Sequence, residues 1–155
     1  MAAIKKVGHV VLGVRDPQRS IGFYTDVLGM ECVSFLDDMQ MAFFSFGDRD
    51  HDIAVIKVPD EEPVGSRSLA HTALEVDGGE QELREFYERM KSKDVAVEFT
   101  ANHVITKSFY FFDPDGNRIE IFSQELPATE AKQLLHDTTS GAAVMGPLDL
   151  EPVAR

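Results

Sequence analysis

The sequence predicts an α+β fold made of two paired βαβββ modules. Three observations carry that expectation: a strand-and-helix grammar that occurs twice, a breaker-rich segment between the copies, and a hairpin around residue 115 whose turn chemistry is explicit. The first copy opens with Val7-Gly-His9-Val-Val-Leu12-Gly-Val14, which reads as a strand. It continues into Asp16-Pro17 and a helical stripe of Ile21, Tyr24 and Leu28, closed by Gly29. Asp16 suits an N-cap, Pro17 the first helical position, where no amide hydrogen is needed, and Gly29 the stop. The second copy opens with Leu69-Ala-His71-Thr-Ala-Leu74-Glu-Val76 and runs through Gly78-Gly79 into a helix carrying Leu83, Phe86, Tyr87 and Met90.

The copies keep step. His71 follows His9 at the same interval, within one residue, as Phe86-Tyr87 follow Phe23-Tyr24. After each helix come a Val-x-Phe run (Val33 and Phe35, Val97 and Phe99) and two further apolar strands, 41–46 and 52–58 in the first copy, 108–113 and 118–122 in the second. Pro59-Asp-Glu-Glu-Pro-Val-Gly-Ser66 reads as a linker. The expected organisation is one domain over 4–123, with module one at 4–58, linker 59–68 and module two at 69–123. Four strands and one helix bury too little apolar surface to stand alone in about 60 residues, so the modules are expected to pair around a shared core. In the remainder, 124–155, a short amphipathic helix is expected over 127–137, followed by an extended or mobile tail.

Bulk composition excludes several function classes. With 155 residues and 43% apolar content the chain can fill a real core, and its net charge of −12 disfavours nucleic acid and anionic membrane as partners. No segment has the length of a membrane span or the apolar run of a secretory signal, so a cytoplasmic location is expected. Cys32 is the single cysteine; an internal disulfide and a thiolate zinc cluster are excluded, and its apolar strand setting argues for an inert thiol. Any metal must be held by histidine and carboxylate.

The segment 103–122 carries the chemistry. Pro114 fixes φ at the first corner of a turn, Asp115 can bond its own backbone and Gly116 tolerates positive φ, so strands flank 113–117. A hairpin symmetric about Asp115 sets Phe112 opposite Arg118 and Tyr110 opposite Glu120. Glu120 lies between Ile119 and Ile121, where an ionised carboxylate is costly without a cation. A lone histidine at a strand start is most often an ordinary polar residue, but His9 and His71 occupy matching positions of paired modules. With Glu120 they make a ligand set of two imidazoles and one carboxylate, which suits Fe(II) with open coordination positions; ligand type alone leaves Mn(II), Ni(II) and Zn(II) open. Lys91-Ser-Lys93 reads as a solvated helix face, and Asp77-Gly78-Gly79 lacks the lysine of a phosphate loop.

Through these residues the chain resembles the vicinal oxygen chelate superfamily over 4–123. Asp16 to Gly29 is similar to the first-helix signature of glyoxalase-like proteins, and Phe109 to Glu120 to their last hairpin. Within that superfamily, His103, Phe109-Tyr110, Asp113-Pro114, Gly116 and Glu120 resemble the hallmark of the extradiol ring-cleaving dioxygenases, with Ala101 as a departure. The resemblance implies Fe(II) on His9, His71 and Glu120, His51 as the acid/base residue, and His103 and Tyr110 as hydrogen-bonding partners of the substrate. It implies a catechol-type substrate and O₂, a ring-opened semialdehyde acid as product, a role in aromatic catabolism, and a homo-oligomeric assembly. Two-domain extradiol enzymes carry a further pair of modules, so a more open pocket is expected here.

Three rivals share the fold. Glyoxalase I is a lyase with a fourth metal ligand in the first module, at a position that the repeat interval assigns to Lys57, whose ammonium has no lone pair. Fosfomycin-type thiol transferases share the His, His, Glu triad but leave His51 and His103 without a task. Non-enzymatic binding proteins of the bleomycin-resistance kind usually lack the metal ligands.

Overall fold

The computed structural model describes residues 7–65, 69–137 and 146–151. The chain divides into two compact units, residues 1–67 with 113–117, and residues 68–112 with 118–155. Each contains a four-stranded mixed sheet, and the element order confirms the expected repeat of βαβββ.

In the first unit β1 (Val10–Val14), β2 (Glu31–Leu36), β3 (Met41–Ser45) and β4 (Ile53–Lys57) form a sheet in the order β1-β4-β3-β2. β1 and β4 are parallel and the other neighbours antiparallel. Helix α1 (Pro17–Gly22) starts as the sequence predicts: the Asp16 carboxylate accepts the amides of Gln18 at 2.9 Å and Arg19 at 3.2 Å. It does not continue as an α-helix to Gly29. Phe23–Val27 form a π-helical turn, in which Leu28 N–H reaches back to Phe23 O at 3.3 Å. Thr25 supplies a reason, since its hydroxyl donates to Ile21 O at 2.8 Å and competes for the acceptor that an α-helical amide would use. Tyr24 is fully buried, stacked on Phe44 with ring centroids 4.9 Å apart. Gly29 ends the turn at φ 76°, as expected of a stop.

The turn 113–117 belongs to the first unit and is tied down by buried hydrogen bonds. Asp113 Oδ1 accepts the amides of Asp115 at 2.9 Å and Asn117 at 2.8 Å, while Oδ2 accepts Asn117 Nδ2 at 2.8 Å and the Tyr24 hydroxyl at 3.1 Å. Asp115 Oδ1 accepts Arg15 N–H at 2.9 Å and pairs with the Arg19 guanidinium at 2.8 Å. Burial, reinforced by the Asp113 carboxylate, pushes the Tyr24 phenol well above its ordinary pKa, so it remains a donor.

The second unit repeats the topology with β5 (Thr72–Glu75), β6 (Val97–Asn102), β7 (Thr106–Phe112) and β8 (Arg118–Gln124) in the order β5-β8-β7-β6. Helix α2 (Glu80–Ser92) packs on β7 and β8 through buried Leu83 and Met90, with Tyr87 edge-on to Phe109 at 5.7 Å. Its Glu82 carboxylate accepts Gly79 N–H at 2.8 Å. Helix α3 (Ala128–Asp137) matches the amphipathic segment expected after the second module.

Of the expected tail, 138–145 and 152–155 lie outside the described residues. Gly146 forms an antiparallel bridge with Asn102, so 146–151 begins as an extension of the β6 edge. Lys91, expected to be merely solvated, instead binds Glu151 at 2.7 Å; Tyr87 donates to the same carboxylate at 3.0 Å and Arg84 to Asp149 O at 2.8 Å. Among the described residues no helix is long and apolar enough to cross a membrane.

Candidate active site

The β7–β8 ladder places the second unit's polar side chains. Tyr110 stands opposite Glu120 and Phe112 opposite Arg118, the register read from the turn chemistry. Strand alternation sends Phe109 toward α2 and the Tyr110 and Glu120 side chains to the opposite face of the sheet. β5 runs parallel to β8 with Ala73 level with Glu120, which brings His71, just before β5, beside that carboxylate.

The result is a continuous polar chain. His71 Nε2 lies 2.9 Å from Glu120 Oε2; Tyr110 donates its hydroxyl proton to Glu120 Oε1 at 2.8 Å; His103 Nε2 lies 2.9 Å from the Tyr110 oxygen. A phenol has one proton, and here it points at Glu120. His103 must therefore donate from Nε2 to the phenol oxygen, so Nε2 carries a proton. Burial, then the hydrogen bond and charge of Glu120, raise the Tyr110 pKa far above the ordinary phenol value, so this proton stays in place at neutral pH. Tyr110 and Glu120 are buried, and Phe99 stacks on the Tyr110 ring at 4.2 Å. Arg118 sits over both Phe99 and Tyr110, held bidentately by Glu98.

The first unit brings together the other two histidines. The parallel pairing of Val10 with Ile53 sets the residues before β1 and β4 side by side, and the rings of His9 and His51 lie 4.5 Å apart. Phe43 meets His51 edge-on at 5.2 Å. His51 Nδ1 is 2.7 Å from Asp50 Oδ2, a hydrogen bond that holds the Asp50 carboxyl below its ordinary range. Because that carboxylate accepts Nδ1–H, Nε2 is the ring atom left open.

Sequence reasoning missed two contributors. Phe99 belonged to a recognised strand run, and strand parity could have set it beside Tyr110. Asp50 precedes His51 directly, but nothing in the sequence signals its rotamer.

The ladder also corrects the position matched to Glu120 in the first module. Glu120 pairs with Ala73 and Tyr110; the corresponding residue, paired with Val11 and Phe43, is Ala54 rather than Lys57. The second module is longer between its helix and β7: Tyr24 and Tyr87 lie 63 residues apart, but Phe43 and Tyr110, the partners of Ala54 and Glu120, lie 67 apart, so a constant interval drifts along the repeat. Ala54 offers no donor atom either. Cys32 is half-buried, and that burial raises its thiol pKa, which favours the inert form.

The profile of the Glyoxalase/Bleomycin resistance protein/Dioxygenase superfamily matches residues 6–121. The chain belongs to this superfamily. Its relatives span several chemistries. Biphenyl-2,3-diol 1,2-dioxygenase 2 of Rhodococcus globerulus is 32% identical over 78% of this chain and 64% of its own length. Lactoylglutathione lyase of Salmonella typhimurium is 33% identical over 73% of this chain and 88% of its own. The fosfomycin resistance protein FosX of Listeria monocytogenes, solved with Mn(II) and sulfate, superposes with a TM-score of 0.61 at 21% identity, covering 80% of this chain and 96% of its own; this likeness concerns the fold alone. The chain thus spans less than two thirds of the biphenyl-diol dioxygenase. The two relatives named are enzymes by name, and the FosX structure holds Mn(II).

The donor set fits a divalent metal in kind. His71 Nε2 and Glu120 Oε2 converge within 2.9 Å, close enough that one cation can replace the proton between them. Within neither unit, among the described residues, do three His, Cys, Asp or Glu side chains gather around one point. The third expected ligand, His9, belongs to the first unit.

Proposed function

We propose that the protein is an Fe(II)-dependent extradiol dioxygenase that cleaves a catechol-type ring with O₂. The observation that carries this reading is the chain His71–Glu120–Tyr110–His103, in which a buried phenol joins a metal-type carboxylate to the protonated Nε2 of a histidine. His9, His71 and Glu120 would hold the metal, for which Mn(II) is the main substitute. A bound divalent iron supplies Lewis acidity toward both catechol oxygens and an electron path between the aromatic ring and dioxygen.

The chain's own residues supply the rest. His51, oriented by Asp50 through Nδ1, offers Nε2 to take a catechol proton and later return it. His103 already donates one hydrogen bond from Nε2, and Tyr110 presents a polar oxygen on the face that carries Glu120; together they would orient a substrate oxygen. Phe99, flat on Tyr110, shields that phenol from water. The ring carbon–carbon bond beside one hydroxyl breaks, both atoms of O₂ enter the product, and a semialdehyde and a carboxylate result. Ala54 supports this reading over a glyoxalase I chemistry, because a fourth carboxylate in the first module would occupy coordination space that a chelating catechol needs. The test is oxygen uptake over a panel of catechols with anaerobically Fe(II)-loaded protein. Uptake with formation of a yellow product supports the proposal, and no uptake with any catechol contradicts it.

A further inference from the structure

His103 stands on an unusual piece of backbone. Val104, a β-branched residue, has φ 68°, in the left-handed region that such side chains rarely adopt. Ile105 N–H bonds back to His103 O at 2.8 Å, closing a three-residue γ-turn of the uncommon, strained kind, while His103 N–H donates to Thr106 O at 2.8 Å. A backbone so placed persists where its surroundings over-determine it.

Those surroundings centre on Asn102. Its Oδ1 accepts Val104 N–H at 2.8 Å, capping the strained residue directly. Its backbone is clamped on the other side, with Asn102 N–H donating to Gly146 O at 2.9 Å and Gly146 N–H returning to Asn102 O at 2.7 Å. Ile105 O is gripped in turn by Glu125 N–H at 2.9 Å and Gln124 Nε2 at 3.0 Å. None of these bonds takes up the His103 side chain, which is left to reach Tyr110.

We propose that Asn102 is a positioning residue: by capping the strained turn at Val104 it holds the His103 ring in the one orientation that lets Nε2 donate to Tyr110. This rests on the catalytic role assigned to His103 above, but the geometry it asserts does not depend on any reaction. Removing the cap releases Val104 to negative φ, swings the Cα–Cβ direction of its neighbour and breaks the His103 to Tyr110 hydrogen bond. Asp at position 102 keeps the acceptor oxygen. Gly at position 104 removes the Cβ that makes positive φ costly, so the turn then needs no cap.

The test uses the full chain labelled with ¹⁵N-histidine and reads the His103 ring by long-range ¹H–¹⁵N spectra, assigned through His103→Gln. Wild type should give one set of signals with Nε2 protonated. Asn102→Ala should give averaged or multiple His103 signals with the His71 signals unchanged, Asn102→Asp should restore the wild-type pattern, and Val104→Gly placed in the Asn102→Ala background should recover most of it. Should Asn102→Ala fail to fold, the double variant and Asn102→Asp still decide. If the catechol reaction is found, kcat should fall about tenfold in Asn102→Ala with KM little changed and return in Asn102→Asp. Unchanged His103 signals in Asn102→Ala, or an Asn102→Asp spectrum as disturbed as the alanine one, would overturn the proposal whether or not any catechol is cleaved. A failed catechol screen with the expected spectra would overturn the dioxygenase reading and leave the positioning role standing.

Discussion

Tyr110 stands between two groups able to use its oxygen, and the direction of its one proton organises the site: toward Glu120, leaving the oxygen to accept from His103. Tyr110→Phe keeps the ring against Phe99 but deletes both hydrogen bonds. We expect kcat on any catechol cleaved to fall by about ten- to a hundredfold while the fold loses only about 1 kcal/mol, read by steady-state kinetics and a thermal melt. Wild-type kinetics would reduce Tyr110 to a packing residue. On the proposed ligand set, Glu120→Ala should abolish iron binding, since one of the three proposed ligands goes with it, whereas His51→Ala and His103→Ala should keep about one iron per chain and lose turnover. Metal analysis of the three variants separates the roles, and iron loss in either histidine variant would make that histidine a ligand. Much of this was legible because residue type narrows chemistry: a glutamate between two isoleucines needs a partner wherever it folds. What was not legible is orientation. Nothing in Asp50-His51 or Asn102-His103 as letters tells that a carboxylate takes one ring nitrogen, or that an amide caps a strained neighbour.

Among the elements, the turn 113–117 converts local sequence into site geometry, because its length sets the register that puts Tyr110 opposite Glu120. Two glycines meet there. Gly116 has φ 83°, and a Cβ on it would meet Gly65 Cα at an ordinary 3.8 Å, so Gly116→Ala bears only the backbone cost of about 1 kcal/mol. Gly65 has φ 86°, and its Cβ would fall 2.9 Å from Gly116 O, a backbone atom that cannot step aside. Gly65→Ala should therefore destabilise by roughly 2–3 kcal/mol, clearly more than Gly116→Ala, in denaturant melts of the two variants. Equal losses would show that the backbone contact yields. The turn, the first-helix cap and the element order were readable, since Pro, Gly and Asp restrict the backbone locally. The π-helical turn was not, because a hydroxyl competing for one carbonyl leaves the apolar spacing unaltered. The Lys57 assignment failed for a related reason: a repeat interval holds only while the loops match, and the ladder alone shows that Ala54 takes the place.

For the whole molecule, the repeat and the two signature segments sufficed for the superfamily, but the chemistry is a choice among relatives that share a fold. Lactoylglutathione lyase and the biphenyl-diol dioxygenase resemble this chain about equally in identity, so overall likeness cannot choose between them. The choice rests on local features: no donor at position 54, a histidine at 51 turned by Asp50, and a histidine at 103 joined through Tyr110 to Glu120. A thiol transferase or a lyase has no evident use for the last two. The most direct measurement is a paired assay on one anaerobic preparation, recording oxygen uptake with a panel of catechols after Fe(II) loading and lactoylglutathione formation from the methylglyoxal–glutathione hemithioacetal after Ni(II) or Zn(II) loading. Oxygen consumption with a yellow ring-opened product and no lactoylglutathione is the predicted result; robust lactoylglutathione formation with no oxygen uptake on any catechol would contradict it.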